Sequence, residues 1–489
     1  MSPLLAKLNR PVVALLAVAA IAGLLRFTHL GFPQRRIFDE YYYSKSACIF
    51  LGHSNERCDI NSGDERFWRE DRNDTGAWVH PPLGKWMIAA GEAAAGTDSF
   101  GWRISSAVIG TATVVLLAGI VLLLFGSPLW SFVAGLLLAV ESLHLVQSRT
   151  AMLDVFVTFW IVLGFLFLLL DRRWIERRAE PPPAAEPTPD PEPEPRRQVP
   201  APLWRPWRFA AGAALGAGLA TKWSALTAIG AAAVLAALWE VTRRRRVAVD
   251  RPVLAGVTAE GFGMILAFLA VPAVVYVATY VGWFAYFGWD LGRWARLQQE
   301  MWEYHRDLGV VDEATGEAIH PYLSEAWRWL LLSRPVLYYA DYAVEGVRKV
   351  IYANGNPAIF WGSLLAIPYT VVAWVRSRDW RAGFVVIVVA GLYVPWLFVS
   401  RPQFLFYATP LTPFLVLACT YALKRLSEIR LEGLRSTPER ARTVRPYLPA
   451  AVGFVVLAVG LFAWFWPMLT GGPLSDADWA RRAWFDSWL

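Results

Sequence analysis

Apolar residues along this chain come in long runs, not in the alternation of a strand or the stripe of an amphipathic helix. The runs occupy residues 11–30, 104–125, 129–146, 151–170, 209–220, 225–240, 253–281, 357–375, 382–399, 404–423 and 447–469. A bilayer core takes roughly 20 apolar residues per helix, within a range of about 17–25. The pattern therefore predicts an all-α integral membrane protein with about eleven transmembrane helices. The run at 209–220 is the weakest, being short and rich in Ala and Gly. The 80–100 stretch, containing HPPLGKWMIAAG, is too polar to span and is expected to lie on the membrane surface.

The polar segments between the runs test this topology. Lys7 and Arg10 precede the first run, but Arg26, Phe27 and His29 stand where a signal peptide would have its small-residue cleavage site. A retained helix with a cytoplasmic N-terminus is expected. Eleven spans then place loops 171–207, 241–252, 376–381 and 424–446 inside. All four are basic: Arg172, Arg173, Arg177 and Arg178, then RRRR at 243–246, then Arg376, Arg378 and Arg381, then Lys424 onward. The positive-inside rule asks for this.

The expected units are a first helix within 1–30, an outside loop at 31–100, helices two to four at 101–170 and an inside linker at 171–207. Helices five to seven follow at 208–281, a second outside loop at 282–356, helices eight to eleven at 357–469 and an outside tail at 470–489. The tail ends in RRAWFDSWL, whose tryptophans suit a membrane interface. The linker holds PPPAAEPTPDPEPEP at 181–195, too rich in proline for helix or sheet and read as extended and solvated.

Composition agrees with a membrane protein. Of 489 residues 56% are hydrophobic, and mean hydropathy is +0.36, whereas soluble domains are about 45–50% apolar. The net charge of +7 is spread between apolar runs, so topology explains it and nucleic acid is not an expected partner. Cys419 lies in a span. Cys48 and Cys58 share the first outside loop, where a disulfide persists if formed and two free thiols are the alternative. No metal-ligand spacing and no phosphate-binding glycine pattern occurs. Neither a metal nor ATP is expected.

Ionisable residues gather at the outer ends of the spans: Arg26, Asp39, Glu40, His80, Lys85, Arg103, Glu141, His144, Arg149, Asp154, Lys222 and Arg401. Charge at such places is costly and calls for a reason. Taken singly, each has a plain explanation. Asp39 suits a helix N-cap and Glu40 its first turn. Arg26, Arg103 and Lys222 suit snorkelling to lipid phosphate. Asp154 suits a pair with Arg149, and HPP suits a helix start. Their convergence on one side favours a site for an anionic donor and a deprotonation step. Neighbouring helix residues project about 100° apart, so Asp39 and Glu40 cannot act on the same atom. One is expected to be a base and the other its support.

The segments FDEYYYSKSA, HPPLGKWMIAAG, FGWRISSAVIGT, SRTAMLDVFVTFW, GLATKWSAL and GNPAIFW follow one another in order. In this series, from about Arg26 to about Pro413, the chain resembles the bacterial, actinobacterial-type protein O-mannosyltransferases of the GT-C superfamily. The resemblance implies a GT-C fold and transfer of mannose from polyprenyl-phosphate-mannose to Ser or Thr of secreted proteins, met during their translocation. It implies a multi-pass plasma-membrane protein with its active site on the outer face. It assigns the catalytic pair to Asp39 and Glu40, with Asp39 expected as the general base of an inverting transfer and Glu40 as its support. With it, Arg103, Arg149, Lys222, His80 and Arg401 are expected to hold the donor phosphate, and Arg26, Lys85, Asp154 and Tyr42 to support. Eukaryotic members carry His where Tyr42 stands, so a role for that His does not transfer. Eukaryotic members also insert a β-trefoil domain in the second outside loop, for which 75 residues are too few.

In that second loop, HPYLSEAWRWLLLSRP at 320–335 reads as an amphipathic surface helix, with His320 either a helix cap or a lining of the acceptor groove. Three rivals stay open: a GT-C relative with another sugar or a lipid acceptor, a secondary transporter, and a lipid-binding scaffold. A transporter would place its charges at the midplane of repeated halves, and no repeat is evident.

Overall fold

In a bilayer every backbone polar group must be satisfied within the segment, so apolar runs become helices. The computed structural model describes residues 9–60, 79–179, 202–311, 315–316, 318–432, 443–444 and 446–488. Eight helical segments are long and apolar enough to cross a membrane: Ser99–Phe125, Leu153–Arg178, Trp223–Arg246, Pro252–Ala278, Pro357–Ser377, Trp380–Phe398, Leu405–Ser427 and Leu448–Thr470. Pro11–Phe27 and Pro128–Ala139 are apolar but shorter, and Pro206–Leu219 has 14 residues. These three coincide with expected spans one, three and five, so length alone supports eight spans and not eleven. The Pro206–Leu219 helix is built for close packing. A Cβ on Gly212 would stand 1.9 Å from the Ala267 carbonyl oxygen, an approach that only small residues allow.

In chain order the helices are α1 (Pro11–Phe27), α2 (Glu40–Phe50), α3 (Leu83–Ala95), α4 (Ser99–Phe125), α5 (Pro128–Ala139), α6 (Ser142–Gln147), α7 (Leu153–Ala179), α8 (Pro206–Leu219) and α9 (Leu226–Arg246). Then come α10 (Pro252–Ile265), α11 (Val271–Ala278), α12 (Val281–Phe287), α13 (Leu291–Asp307), α14 (Ala326–Trp329), α15 (Pro357–Ser377), α16 (Trp380–Tyr393), α17 (Thr412–Ser427), α18 (Leu448–Thr470) and α19 (Asp476–Ala480). Within the 80–100 stretch the helix is α3, whose Ile88 and Ala89 are buried in the protein. The segment Leu405–Ser427 is enclosed along almost its whole length, whereas α18 leaves most of its surface open to lipid.

Strands β1 (Val336–Val344) and β2 (Val347–Ala353) form an antiparallel hairpin in the second loop. Two short strands, β3 (Leu431–Glu432) and β4 (Thr443–Val444), pair with each other. A third strand, β5 (Pro473–Ser475), joins the hairpin through Val347 opposite Ser475, so the tail is tied to the loop. The fold is thus helical with small sheets added.

Two readings of local sequence are corrected. Of 320–335 only Ala326–Trp329 is helical. The segment is pinned instead from outside: Ser324 N donates to the Gln403 carbonyl at 2.8 Å and Ala326 N to Gln403 Oε1 at 2.8 Å. Leu332 takes a left-handed φ of 55°. Trp329 and Leu332 are buried while Trp327 is exposed, so the segment is core as much as surface. In the tail, Trp488 is also core, its Nε1 donating to the Leu332 carbonyl at 2.6 Å. The proline-rich 181–195 stretch lies outside the described residues.

Candidate active site

The FDE triplet sits at a strained turn. Phe38 adopts φ 47°, unfavourable for a residue with a bulky side chain. Its ring is clamped by residues far along the chain: stacked on Tyr338 of β1 at 4.5 Å, and edge-on to Phe406 at 5.5 Å and to His320 at 6.4 Å. Packing over-determines the turn, as strained backbone at a site requires.

The turn gives adjacent carboxylates opposite fates. Glu40 is fully buried. Its oxygens accept from Arg103 Nε and Nη2, both at 2.8 Å, from Ala151 N at 2.9 Å and from Ile37 N at 3.1 Å. This is a bidentate, charge-assisted pair with every lone-pair direction used. Asp39 occupies the N-cap position of α2 but its side chain makes no capping bond. It is half-buried, and its carboxylate has no hydrogen bond or ion pair among the described residues. Burial pushes its carboxyl up to about 7, Lys222 pulling it down and Asp154 adding to the rise. The α2 helix is held to its loop by the Cys48–Cys58 disulfide.

Three arginines are placed differently from expectation. Arg103 does not face an open cleft. Besides Glu40 it donates to the carbonyls of Leu30, Pro33 and Arg35 at 3.3, 2.9 and 2.9 Å, and it is fully buried. Arg149 closes the end of α1, donating to the carbonyls of Leu25, Arg26, Thr28 and His29 at 3.1, 2.9, 2.6 and 3.3 Å. It satisfies orphan carbonyls of a helix terminus. Neither guanidinium is presented to a donor phosphate. Arg26 touches neither Asp39 nor Glu40: its Nη2 lies 2.9 Å from His144 Nδ1.

Lys222, by contrast, opens onto a cavity. Its Nζ binds Asp154 Oδ1 and Oδ2 at 2.9 and 3.0 Å and lies 4.5 Å from the Tyr407 ring centroid. Asp154 therefore pairs with Lys222 and not with Arg149. The cavity, of about 390 Å³, is lined by His80, Lys222, His305, Arg401 and Tyr407 together with the apolar Trp396, Phe398 and Val399, Trp396 lying 5.3 Å from the Tyr407 ring. Arg401 Nη1 bonds His305 Nδ1 at 2.8 Å and Nη2 bonds the Tyr407 hydroxyl at 3.3 Å. Its Nε is buried with no partner among the described residues.

His305 Nε2 lies 2.8 Å from the Val79 carbonyl. A carbonyl only accepts, so Nε2 carries the proton and Nδ1 accepts from Arg401. Burial, with Arg401 beside it, lowers His305 to about 4. Burial and the nearby cations hold His80 well below the usual imidazole range. Both rings are neutral near pH 7, so the cavity's positive charge comes from Lys222, Arg401 and Arg306, the last paired with Asp307, and His80 is not a cation there. Lys85 is buried under the site, its Nζ bonding the His80 carbonyl at 2.5 Å. Tyr42 is partly exposed, edge-on to Tyr41 at 5.5 Å.

His305 and Tyr407 were not singled out from the sequence. Trp302, His305 and Arg306 recur at helical spacing on α13, a signal in the second long loop that could have drawn attention.

Residues 74–286 match the family profile for dolichyl-phosphate-mannose-protein mannosyltransferase. Residues 291–488 match that for the C-terminal four-transmembrane region of protein-O-mannosyltransferase. The polyprenol-phosphate-mannose–protein mannosyltransferase of Mycobacterium tuberculosis is 32% identical over 502 residues, which cover 96% of this chain and 90% of the relative. Among solved structures, the Saccharomyces cerevisiae protein O-mannosyltransferase Pmt1-Pmt2 complex bound to the sugar donor aligns with a TM-score of 0.71 at 13% identity, covering 100% of this chain and 94% of that one. ArnT from Cupriavidus metallidurans, bound to undecaprenyl phosphate, aligns with a TM-score of 0.55 at 15% identity, covering 94% and 76%. The fold is thus the GT-C membrane fold, and the chain belongs to the protein-O-mannosyltransferase family.

Proposed function

We propose that this protein transfers mannose from polyprenyl-phosphate-mannose to Ser and Thr hydroxyls of exported proteins, with Asp39 as general base. One observation carries the reading: a half-buried Asp39 carboxylate, unpaired among the described residues, lies within electrostatic reach of Lys222, which lines a cavity together with Arg401 and the apolar Trp396, Phe398 and Val399. A lipid-linked phosphate joins an anionic group to an apolar chain, the complement of such a mixed lining. Lys222 and Arg401 hold the phosphate, and the free Arg401 Nε–H is a donor still awaiting an acceptor. The prenyl chain leaves past Phe398, which is 83% exposed.

In the reaction the acceptor oxygen bonds to the anomeric carbon as the bond from that carbon to phosphate oxygen breaks. The hydroxyl proton goes to Asp39. The donor phosphodiester, a monoanion, departs as a phosphate monoester carrying one more negative charge, which Lys222 and Arg401 stabilise by preorganised electrostatics. Direct displacement inverts the anomeric centre. Glu40 and Arg103 are positioning residues: their buried pair joins α2, α4 and the turn before α7 and so aims Asp39.

We assign the protein to the plasma membrane, with its N-terminus in the cytoplasm and the site on the outer face. Basic residues crowd the helix ends remote from Asp39, and the Cys48–Cys58 disulfide lies beside the site, as an oxidising compartment permits. Acceptors are met during or after translocation. No metal cofactor is needed, because two fixed cations already face the leaving group; a chelator is expected to leave the initial rate unchanged, and loss of activity restored by one divalent ion would overturn this.

The central test uses membranes containing the protein, polyprenyl-phosphate-mannose and a Ser/Thr-rich peptide. Asp39→Asn is expected to lose about 10²–10⁴-fold in rate. Full activity in the variant, or none in the wild type, would refute the reading.

A further inference from the structure

A second cavity, of about 470 Å³, opens at the opposite end of the bundle. It lies between the C-terminal end of α9 and the loop joining α15 to α16. The helix α9 starts four residues after Lys222 and runs 21 residues, about 31 Å at 1.5 Å per residue, so this cavity is separated from Asp39 by the membrane's thickness. Four guanidinium groups line it, from Arg172, Arg245, Arg246 and Arg378. So do three indoles, from Trp239, Trp374 and Trp380.

The arginines of this cavity are in excess. Nearby, Asp171, Glu240 and Glu260 are shared among Arg205, Arg208, Arg243 and Arg244 in a buried network. That network leaves little carboxylate for the cavity. No acidic residue lines it. Among the described residues, Arg245, Arg246 and Arg378 make no ion pair, and all three are exposed. Arg172 is paired through Nη2 with Glu176 at 2.6 Å, yet its Nε is buried without a partner. Its guanidinium lies over the Trp380 and Trp239 rings at 4.1 and 4.9 Å, which fixes its plane.

We propose that this cavity binds the headgroup of an anionic phospholipid of the membrane leaflet that it faces. Unbalanced guanidinium groups match a phosphodiester and its charge. Basic pockets between transmembrane helices are suited to acidic lipid heads. The wall continues as Leu238, Val375 and Ile387, with Val375 68% exposed, so acyl chains have an apolar surface directly below the phosphate. A soluble phosphate ester would leave that wall uncovered. The lipid would bridge α9 and α15–α16, which carry the two sides of the cavity.

The test is native mass spectrometry of the full chain released from detergent micelles doped with phosphatidylglycerol, with phosphatidylcholine, or with soluble glycerol phosphate at equal concentration. Phosphatidylglycerol is expected to remain bound at least tenfold more than either alternative. The triple variant Arg245→Gln, Arg246→Gln, Arg378→Gln should lose about tenfold of that retention. A control of equal charge change at the same end but outside the cavity, Arg173→Gln, Arg177→Gln, Arg425→Gln, should keep it. All six side chains are exposed, so both variants are expected to fold, checked by unchanged helical circular dichroism. Equal retention of phosphatidylcholine overturns the proposal, as does equal loss in the control. Equal binding of glycerol phosphate shows a free-phosphate site and also overturns it. Mannosyl transfer is not the readout, so failure here is distinct from failure of the Asp39 mechanism.

Discussion

Carboxylates and arginines meet at both ends of this molecule, with opposite results. At the end remote from Asp39, Asp171, Glu240 and Glu260 are matched to Arg205, Arg208, Arg243 and Arg244, and every carboxylate has at least one guanidinium within 3 Å. At the other end Glu40 is matched as completely by Arg103, but Asp39, its neighbour in sequence, has no partner among the described residues. Burying a charge is costly unless it is paired. Paired groups here hold helices together, whereas the unpaired one is free for chemistry. The comparison teaches that chemical capacity is read from imbalance and not from the number of charges.

Four measurements would break or sharpen this contrast. The largest effect is expected from Asp39→Asn: a rate loss of about 10²–10⁴-fold with a thermal midpoint unchanged or raised, since an unpaired carboxylate is removed. A large fall in stability would mean that Asp39 has a structural partner after all. Next, Arg103→Ala leaves Glu40 buried and alone, which is expected to cost about 3–5 kcal/mol, seen as a fall in the unfolding midpoint. Activity should fall with it, and no soluble cation should restore it, since the guanidinium site is closed.

Third, the pH profile. Asp39 acts as a carboxylate, and burial places its carboxyl at about 7. The log of the rate should therefore rise by about one per pH unit below 7 and level off above it, giving roughly 100-fold less activity at pH 5 than on the plateau. Flat activity from pH 5 to 8 would remove Asp39 as the base. The smallest functional effect is expected at the remote network. Glu240→Gln should lower stability by about 1–3 kcal/mol, the usual penalty for unsatisfied buried groups, while the rate of the folded fraction stays within about twofold. A large loss of rate would couple the two ends of the molecule.

Much of the scaffold was legible beforehand, because the period and length of apolar runs report directly on helices in lipid. Eight of the expected spans meet the length criterion, and a helix, α3, forms at Leu83–Ala95 within the stretch judged too polar to span. The second loop was less legible. The segment 320–335 has an amphipathic composition, but Gln403 captures its backbone donors and Leu332 turns the chain, so the helix stops after one turn. The strands that follow pair with a tail more than a hundred residues away, which no local pattern announces. His305 was missed because its significance comes from Arg401, 96 residues later.

The sequence by itself determined a helical membrane protein, its charged helix ends, the segments by which it resembles protein O-mannosyltransferases and a division of labour between Asp39 and Glu40. Tertiary structure decided which member of that pair is free, and which arginines are structural. Glu40 is claimed by Arg103, 63 residues on, and by Ala151, 111 residues on. Arg149 is claimed by carbonyls about 120 residues before it. Hydrogen bonding is short-ranged and directional, so a side chain's role depends on which distant segment packs within about 3 Å of it, and that is set only when the helices assemble.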